Sequence, residues 1–312
     1  MTTAVLAMPG NETFADELAT ALGAELVGVE TRRFPDGERY LRLLSEVAGR
    51  EVLVVCTLAR PDPQFLGLVF AARTARELGA ARVSLVAPYL AYMRQDARFH
   101  PGEAITSTHF AALLSAEFDE ILTVDPHLHR HKAMAEIYTA PAVALHAAPR
   151  LSDWVAANVA RPLLIGPDEE SRQWAAEVAK GAGAPSLVLR KERLGDRDVR
   201  VSLPDLSGWR GCTPVLVDDI ASSGRTLVAA AQGLAAEGFG RPVCVVVHAL
   251  FAEGAYEALE AVAQRIVATD SVPHPSNAIA LAARGVREKA LRIAADVLEA
   301  SPEDLEIDEG LI

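Results

Sequence analysis

The sequence predicts an α/β protein of two domains with largely parallel sheets, and three observations carry that expectation. Short β-branched runs alternate with longer Ala/Leu/Glu stretches, and the longer stretches repeat apolar residues at spacings of three and four. The third is size: 312 residues, 50% of them hydrophobic, exceed what one core usually holds, because single cores stop growing near ~250–300 residues. The strand-like runs are Glu51 to Thr57, Arg82 to Ala87, Glu120 to Val124, Pro162 to Ile165, Val215 to Val217 and Val243 to His248. Runs this continuously apolar suit strands buried on both faces of a parallel sheet. Between them Phe65, Val69, Ala72 and Ala75, and later Trp174, Ala175, Val178 and Ala179, give each helix an apolar stripe able to cover a sheet face. Residues 145–161 join two such series through a helix-like piece containing Pro149, which puts the boundary near residue 148 and predicts domains of residues 1–147 and 148–312. The two halves share this rhythm, as a duplicated fold would. A last helix is expected over about Val286 to Ala300, able to pack on either half, followed by a frayed acidic tail after Ser301.

The net charge of −12 and isoelectric point near 5.2 exclude a general affinity for nucleic acid or anionic membrane, which needs a basic surface. Any phosphate-binding site is therefore local. Cys56, Cys212 and Cys244 are too few and too scattered for a disulfide framework or a paired-cysteine metal site, and Cys56 and Cys244 sit in apolar runs as buried thiols do. No run reaches the ~18 apolar residues of a membrane span. Residues 1–25 lack the basic and apolar segments of a secretory signal, so a soluble cytoplasmic protein is expected.

The sharpest chemical feature runs from Val215 to Thr226. An apolar strand leads into Asp218 and Asp219, then Ser222, Ser223, Gly224, Arg225 and Thr226, then a helix. Backbone N–H groups at a helix start, together with Ser and Thr hydroxyls, can surround a phosphate, and Gly224 lets the backbone approach closely. Carboxylates at a strand end sit where α/β sheets bind ligands and can hold sugar hydroxyls. The bland alternative is a strand–turn–helix with a Ser/Thr cap, and the acidic pair argues against it. The stretch resembles the phosphoribosyl-binding motif shared by phosphoribosyltransferases and ribose-phosphate pyrophosphokinases.

The resemblance to the pyrophosphokinases extends over nearly the whole chain. It implies two phosphoribosyltransferase-like, three-layer α/β/α domains with largely parallel sheets, the first binding ATP and the second ribose 5-phosphate. The stretch Pro88, Tyr89, Leu90, Ala91, Tyr92, Met93, Arg94, Gln95, Asp96 looks like the family's ATP-binding segment. There Arg94 offers a planar fork for phosphate and Gln95 an amide for sugar or base, although alone these residues would read as a solvated loop. Phe34, Pro35, Asp36, Gly37 and Glu38 are similar to a loop that reaches the adenine of a neighbouring subunit, which implies a homo-oligomer, dimer or higher; by itself Pro-Asp-Gly is a turn. Thr123 to His127 resembles an element whose histidine helps hold magnesium near the ATP phosphates, with His129 and His131 as competitors for His127. Histidines beside Asp125 also raise zinc, but phosphoryl transfer favours a hard, hydrated cation. Gly166, Pro167 and Asp168 look like the second metal element; Asp168 can equally serve as a helix N-cap. In the charged stretch Arg190 to Asp198, Lys191 and Arg193 align with the family's catalytic Lys and Arg, and Gly195 is a candidate hinge. Without that resemblance the stretch would read as a solvated loop.

Some positions depart from the pattern. Ser222 and Arg225 stand where many relatives carry an acidic or small residue and a glycine, and Glu169 and Glu170 replace glycine-containing positions. Residues 97–106 look like the archaeal-type version, without the Ser/Arg-rich run of phosphate-activated bacterial enzymes. Two rivals remain: a phosphoribosyltransferase, which shares the 218–226 loop alone, and a non-catalytic subunit that regulates an active homologue.

Overall fold

The computed structural model describes residues 2–128, 130–169, 171–193, 199–202, 204 and 206–281, with the backbone alone for 190–193 and 199–202. The helix expected over about Val286 to Ala300, the tail after Ser301 and the candidate hinge Gly195 lie outside these residues. The described chain forms two compact units, one ending at Leu145 and the other running from His146 to Leu281.

In the first unit the order is β1 (Thr3–Ala7), α1 (Glu12–Leu22), β2 (Glu25–Val27), β3 (Val29–Arg33), β4 (Arg39–Leu43), β5 (Glu51–Val55), α2 (Pro61–Glu77), β6 (Arg82–Ala87), α3 (Thr106–Glu117), β7 (Glu120–Val124) and β8 (Ala142–Leu145). Six of these strands form a parallel sheet in the order β2-β1-β5-β6-β7-β8, while β3 and β4 pair antiparallel as a separate hairpin. In the second unit the order is α4 (Ala148–Asn158), β9 (Pro162–Gly166), α5 (Arg172–Ala182), β10 (Ser186–Val188), β11 (Arg190–Arg193), β12 (Val199–Ser202), β13 (Thr213–Ala221), α6 (Arg225–Ala236), β14 (Val243–Ala249), α7 (Ala255–Glu260), β15 (Arg265–Thr269) and β16 (Asn277–Ile279). Its parallel sheet runs β10-β9-β13-β14-β15-β16, with β11 and β12 as a second antiparallel hairpin. Numbered within each unit, both sheets read 2-1-3-4-5-6, and both hairpins are inserted between the second and third sheet strands.

Burial follows from the strand composition. Every residue of β7 and of β14 is buried, so both faces of each sheet are covered, which is the three-layer arrangement. On α2 the buried stripe is Leu68, Ala71, Ala72 and Ala75, with Phe65 and Val69 half-buried at its margin. Cys56 and Cys244 are fully buried, and burial pushes both thiols up to about 12, so they stay neutral and inert.

Helices α4 and α5 meet unusually closely at Gly181. Ser152 Oγ is buried there, at 2.8 Å from the Ala148 carbonyl and 2.9 Å from that of Val178. A Cβ added at Gly181 would lie 2.5 Å from Ser152 Oγ and 2.7 Å from its Cβ. Gly181→Ala is therefore expected to lower the unfolding free energy by about 1–3 kcal/mol through overpacking, in spite of the ~1 kcal/mol that alanine gains in a helix. Adding Ser152→Ala should return part of the loss. Urea unfolding of the three variants checks this, and a Gly181→Ala variant as stable as the parent would contradict the close contact.

Candidate active site

In the second unit the apolar run expected to stop at Val217 continues as β13 to Ala221. The parallel ladder carries it on, pairing Asp218 with Val246, Ile220 with His248 and Ala221 with Ala249. Asp218 and Asp219 therefore lie within the strand and are half-buried. Beyond the strand, the Leu250 N–H donates to the Ala221 carbonyl (2.9 Å) and the Ala252 N–H to that of Ser222 (3.0 Å), which stitches the turn to the loop after β14. Gly224 then takes a left-handed conformation, φ 66°, and an added Cβ would meet the Ala255 carbonyl at 3.4 Å. Gly224 is itself the N-cap residue of α6 and brings no side chain to its first turn. Its N–H groups and positive dipole end thus stand beside Ser222 and Thr226, half-buried, and Ser223 and Arg225, exposed, as a site for an anion.

Asp168 follows β9, the strand adjacent to β13. It shapes the turn into α5, where its Oδ1 accepts the Ser171 N–H (3.3 Å) and its own N–H donates to Ser171 Oγ (3.2 Å). Ser171, not Asp168, occupies the N-cap position. The Asp218 carboxyl is pushed well above the usual carboxylate range, first by burial and then by the charges of Asp219 and Asp168. Crowded acidic oxygens of this kind fit a hard cation such as magnesium. Among the described residues no group of three or more His, Cys, Asp or Glu is arranged to hold a metal ion by itself. Water and phosphate oxygens would complete the coordination, which suits magnesium and does not suit a structural zinc.

In the first unit Arg94 is exposed and Gln95 half-buried, in the loop between β6 and α3. Thr106 Oγ1 donates to Gln95 Oε1 at 3.1 Å. Asp96 is 8% exposed and its Oδ1 accepts Arg130 Nη1 at 2.6 Å. His127 is half-buried in the loop after β7, entered through Asp125, whose φ of 35° is unusual for a residue with a side chain. Of its two competitors, His131 holds its Nδ1 at 3.2 Å from Glu136 Oε2, and His129 lies outside the described residues. Phe34, Asp36 and Glu38 are exposed on the turn joining β3 to β4. The turn is closed by the Phe34 N–H on the Glu38 carbonyl (2.8 Å) and the Glu38 N–H on Asp36 Oδ1 (3.1 Å). Lys191 and Arg193 lie on β11, paired in register with Val201 and Val199.

Two arginines escape a reading of the sequence. Arg32 pairs across the hairpin with Tyr40, its guanidinium carbon 4.4 Å from that ring centre and 4.7 Å from that of Phe34. The only signal was a basic residue two positions before an aromatic one. Arg130 gave none, because Asp96 lies 34 positions away.

Residues 3–117 match the model for the N-terminal domain of ribose phosphate pyrophosphokinase, and residues 133–273 that for the phosphoribosyl transferase domain. The ribose-phosphate pyrophosphokinase of Methanopyrus kandleri is 36% identical over 281 residues, which cover 89% of this chain and 95% of that one. The chain belongs to the ribose-phosphate pyrophosphokinase family. The pyrophosphokinase of Sulfolobus acidocaldarius is 31% identical over 271 residues, covering 85% of this chain and 92% of its own. A crystal structure of phosphoribosylpyrophosphate synthetase from Mycobacterium smegmatis shares the fold with a TM-score of 0.81 at 21% identity, over 96% of this chain and 100% of that one.

The raised Asp218 yields a test in this family member free of ligand. A carboxyl whose folded value lies above its unfolded value stabilises below the unfolded value and loses that contribution as pH rises through the folded one. Asp218→Asn should therefore melt higher than the parent at pH 7–8 in the presence of a chelator, with the gap shrinking as the pH falls toward the ordinary carboxylate range. Thermal melts from pH 4 to 8 check it. A variant less stable than the parent at neutral pH would rule out charge crowding.

Proposed function

We propose that this chain is a ribose-phosphate pyrophosphokinase that transfers the pyrophosphoryl group of magnesium-bound ATP to the 1-hydroxyl of ribose 5-phosphate, giving phosphoribosyl pyrophosphate and AMP. The observation that carries the reading is the start of α6 behind Gly224, left-handed and without a side chain, at the end of a strand bearing Asp218 and Asp219. It offers one anion site and two sugar-hydroxyl acceptors on neighbouring residues, which fits a ribose carrying a terminal phosphate.

The 5-phosphate sits on the α6 N–H groups with Ser222, Ser223, Gly224, Arg225 and Thr226, and Asp218 and Asp219 accept the ribose hydroxyls. Arg94 and Gln95 hold ATP, with Asp96 in the same segment. Phe34, Asp36 and Glu38 reach the adenine of a second copy, so the active form is a dimer or larger. His127 and Asp168 would hold magnesium, which when bound neutralises charge on the phosphate oxygens. The bond from the ribose O1 to the β-phosphorus forms as the bond from that phosphorus to the bridging oxygen of AMP breaks. Lys191 and Arg193 offset the charge on the transferring group, and no covalent enzyme intermediate is needed because positioning and charge stabilisation dominate such transfers.

Purified protein with magnesium, ATP and ribose 5-phosphate should form AMP and phosphoribosyl pyrophosphate one for one. Pyrophosphate release from phosphoribosyl pyrophosphate and a nucleobase instead would identify a phosphoribosyltransferase, and activity only after adding a homologue would identify a regulatory subunit. Lys191→Ala should cut turnover by roughly 10²–10³ while the ATP dissociation constant stays within a few-fold; unchanged turnover would remove Lys191 from the mechanism.

The loop at residues 98–103 supports a further expectation. Glu103 Oε2 accepts the N–H groups of Phe99 (2.7 Å) and His100 (3.0 Å), and Arg98 Nε donates to the Glu103 carbonyl (2.9 Å). An internal carboxylate occupies donors that an oxyanion would otherwise use. Activity is thus expected without inorganic phosphate, with ADP competing against ATP. Titrating phosphate into a phosphate-free assay, then ADP at several ATP concentrations, checks both; strong phosphate activation or ADP inhibition persisting at saturating ATP would refute it.

A further inference from the structure

Two loops leave the carboxyl ends of neighbouring parallel strands in the first unit. One follows β6 and carries Arg94 and Gln95; the other follows β7 and carries His127. The ladder fixes where each strand ends, but not how far apart the loops stand beyond it. Each loop is braced internally. In the first, the Ser107 N–H donates to the Gln95 carbonyl (3.3 Å), and Glu103 gathers the N–H groups of Phe99 and His100. In the second, Glu136 accepts the Lys132 N–H at 3.2 Å and faces His131.

Arg130 bridges the two. Its Nη1 lies 2.6 Å from Asp96 Oδ1, and its guanidinium carbon lies 5.2 Å from the centre of the Phe99 ring. The Asp96 side chain is only 3% exposed, against 52% for Arg130. A carboxylate that buried is tolerated only when paired, so Asp96 is a fixed anchor into which the guanidinium plugs, with the Phe99 ring as its second wall. Asp96 is also a poor direct contact for a polyphosphate, since it carries the same sign of charge. Its place beside Arg94 and Gln95 makes better sense as the socket of a latch.

We propose that Arg130, seated on Asp96 and Phe99, is a positioning residue for the nucleotide: it sets the separation between Arg94 and Gln95 on one loop and His127 on the other. The inference rests on the reading of Arg94 and Gln95 as ATP groups and of His127 as a ligand of the magnesium that accompanies ATP. Asp96 then acts on ATP through Arg130. The alternative for an arginine half-exposed at this place is direct contact with a phosphate, and the two roles predict opposite behaviour when Asp96 is neutralised. A direct phosphate ligand would be released by Asp96→Asn, and ATP binding would hold or tighten. A latch would be broken by it.

The test is Mg-ATP binding by calorimetry, with steady-state kinetics, on the full chain and on Arg130→Met, Arg130→Lys, Asp96→Asn and the Met/Asn double variant. Arg130→Met should weaken ATP binding and raise its KM by roughly tenfold or more, and leave the KM for ribose 5-phosphate within twofold. Asp96→Asn should do the same, and the double variant should be no worse than either single one, because all three lose one shared contact. Arg130→Lys, which keeps the charge and loses the planar group, should fall between. Because Arg130 is half-exposed, Arg130→Met leaves the core intact, and thermal melts verify folding of each variant. Unchanged ATP binding in Arg130→Met, tighter binding in Asp96→Asn or full additivity would each overturn the latch. A parent protein that binds Mg-ATP but forms no AMP would sink the proposed reaction while the binding comparison still judges the latch; one that binds no Mg-ATP overturns both.

Discussion

Parallel pairing is the constraint on which the rest of this molecule depends. Strands that run the same way and pair in register end at one edge of their sheet, so the turns that follow them gather there. In the second unit the ladder between β13 and β14 persists past the apolar run and takes Asp218 with it. The carboxylates are thereby held half-buried near Asp168, on the turn after the adjacent strand, where burial and the charges of Asp219 and Asp168 raise the cost of ionising Asp218. That crowding gives the site its chemical bias: it favours cations and hydroxyl donors, while the positive dipole end of α6 a few residues on favours anions. A phosphorylated sugar carries both kinds of group.

The same architecture is used twice. Both sheets have the strand order 2-1-3-4-5-6, and in both an antiparallel hairpin leaves the chain between the second and third sheet strands. In the first unit that hairpin presents Phe34 to Glu38; in the second it carries Lys191 and Arg193. The loops proposed to cover the base and to offset the transferring charge thus occupy equivalent places in a repeated fold. A hairpin outside the ladder can change its residues without disturbing the sheet, which lets one scaffold serve two ligands.

The long apolar runs were legible because their composition allows nothing else: the ranges Arg82 to Ala87 and Glu120 to Val124 are the observed β6 and β7. The five-residue β1, which mixes alanine and leucine with single threonine and valine residues, and the largely charged β3 gave weaker signals, since short runs of either kind do not separate strand from helix or loop. The end of β13 was misjudged because aspartate ordinarily leaves strands, and only pairing with β14 overrides that preference. Asp218, Asp219 and the 222–226 turn stood out by residue type and order, whereas Lys191 and Arg193 were singled out only by family resemblance. The Asp96–Arg130 pair was invisible, since a contact across two loops leaves no trace in local spacing.

Which bond is made to the ribose is the most direct question to put to this account. Ribose 5-phosphate labelled with oxygen-18 in its 1-hydroxyl, incubated briefly with the protein, magnesium and ATP, can be followed by phosphorus NMR and mass spectrometry. Attack of that oxygen on the β-phosphorus predicts that the label is retained between C1 and the pyrophosphate of the product, with unlabelled AMP. Label lost from the product, or found in AMP, would mean that the bond broken or formed is a different one, and would contradict pyrophosphoryl transfer to the 1-hydroxyl.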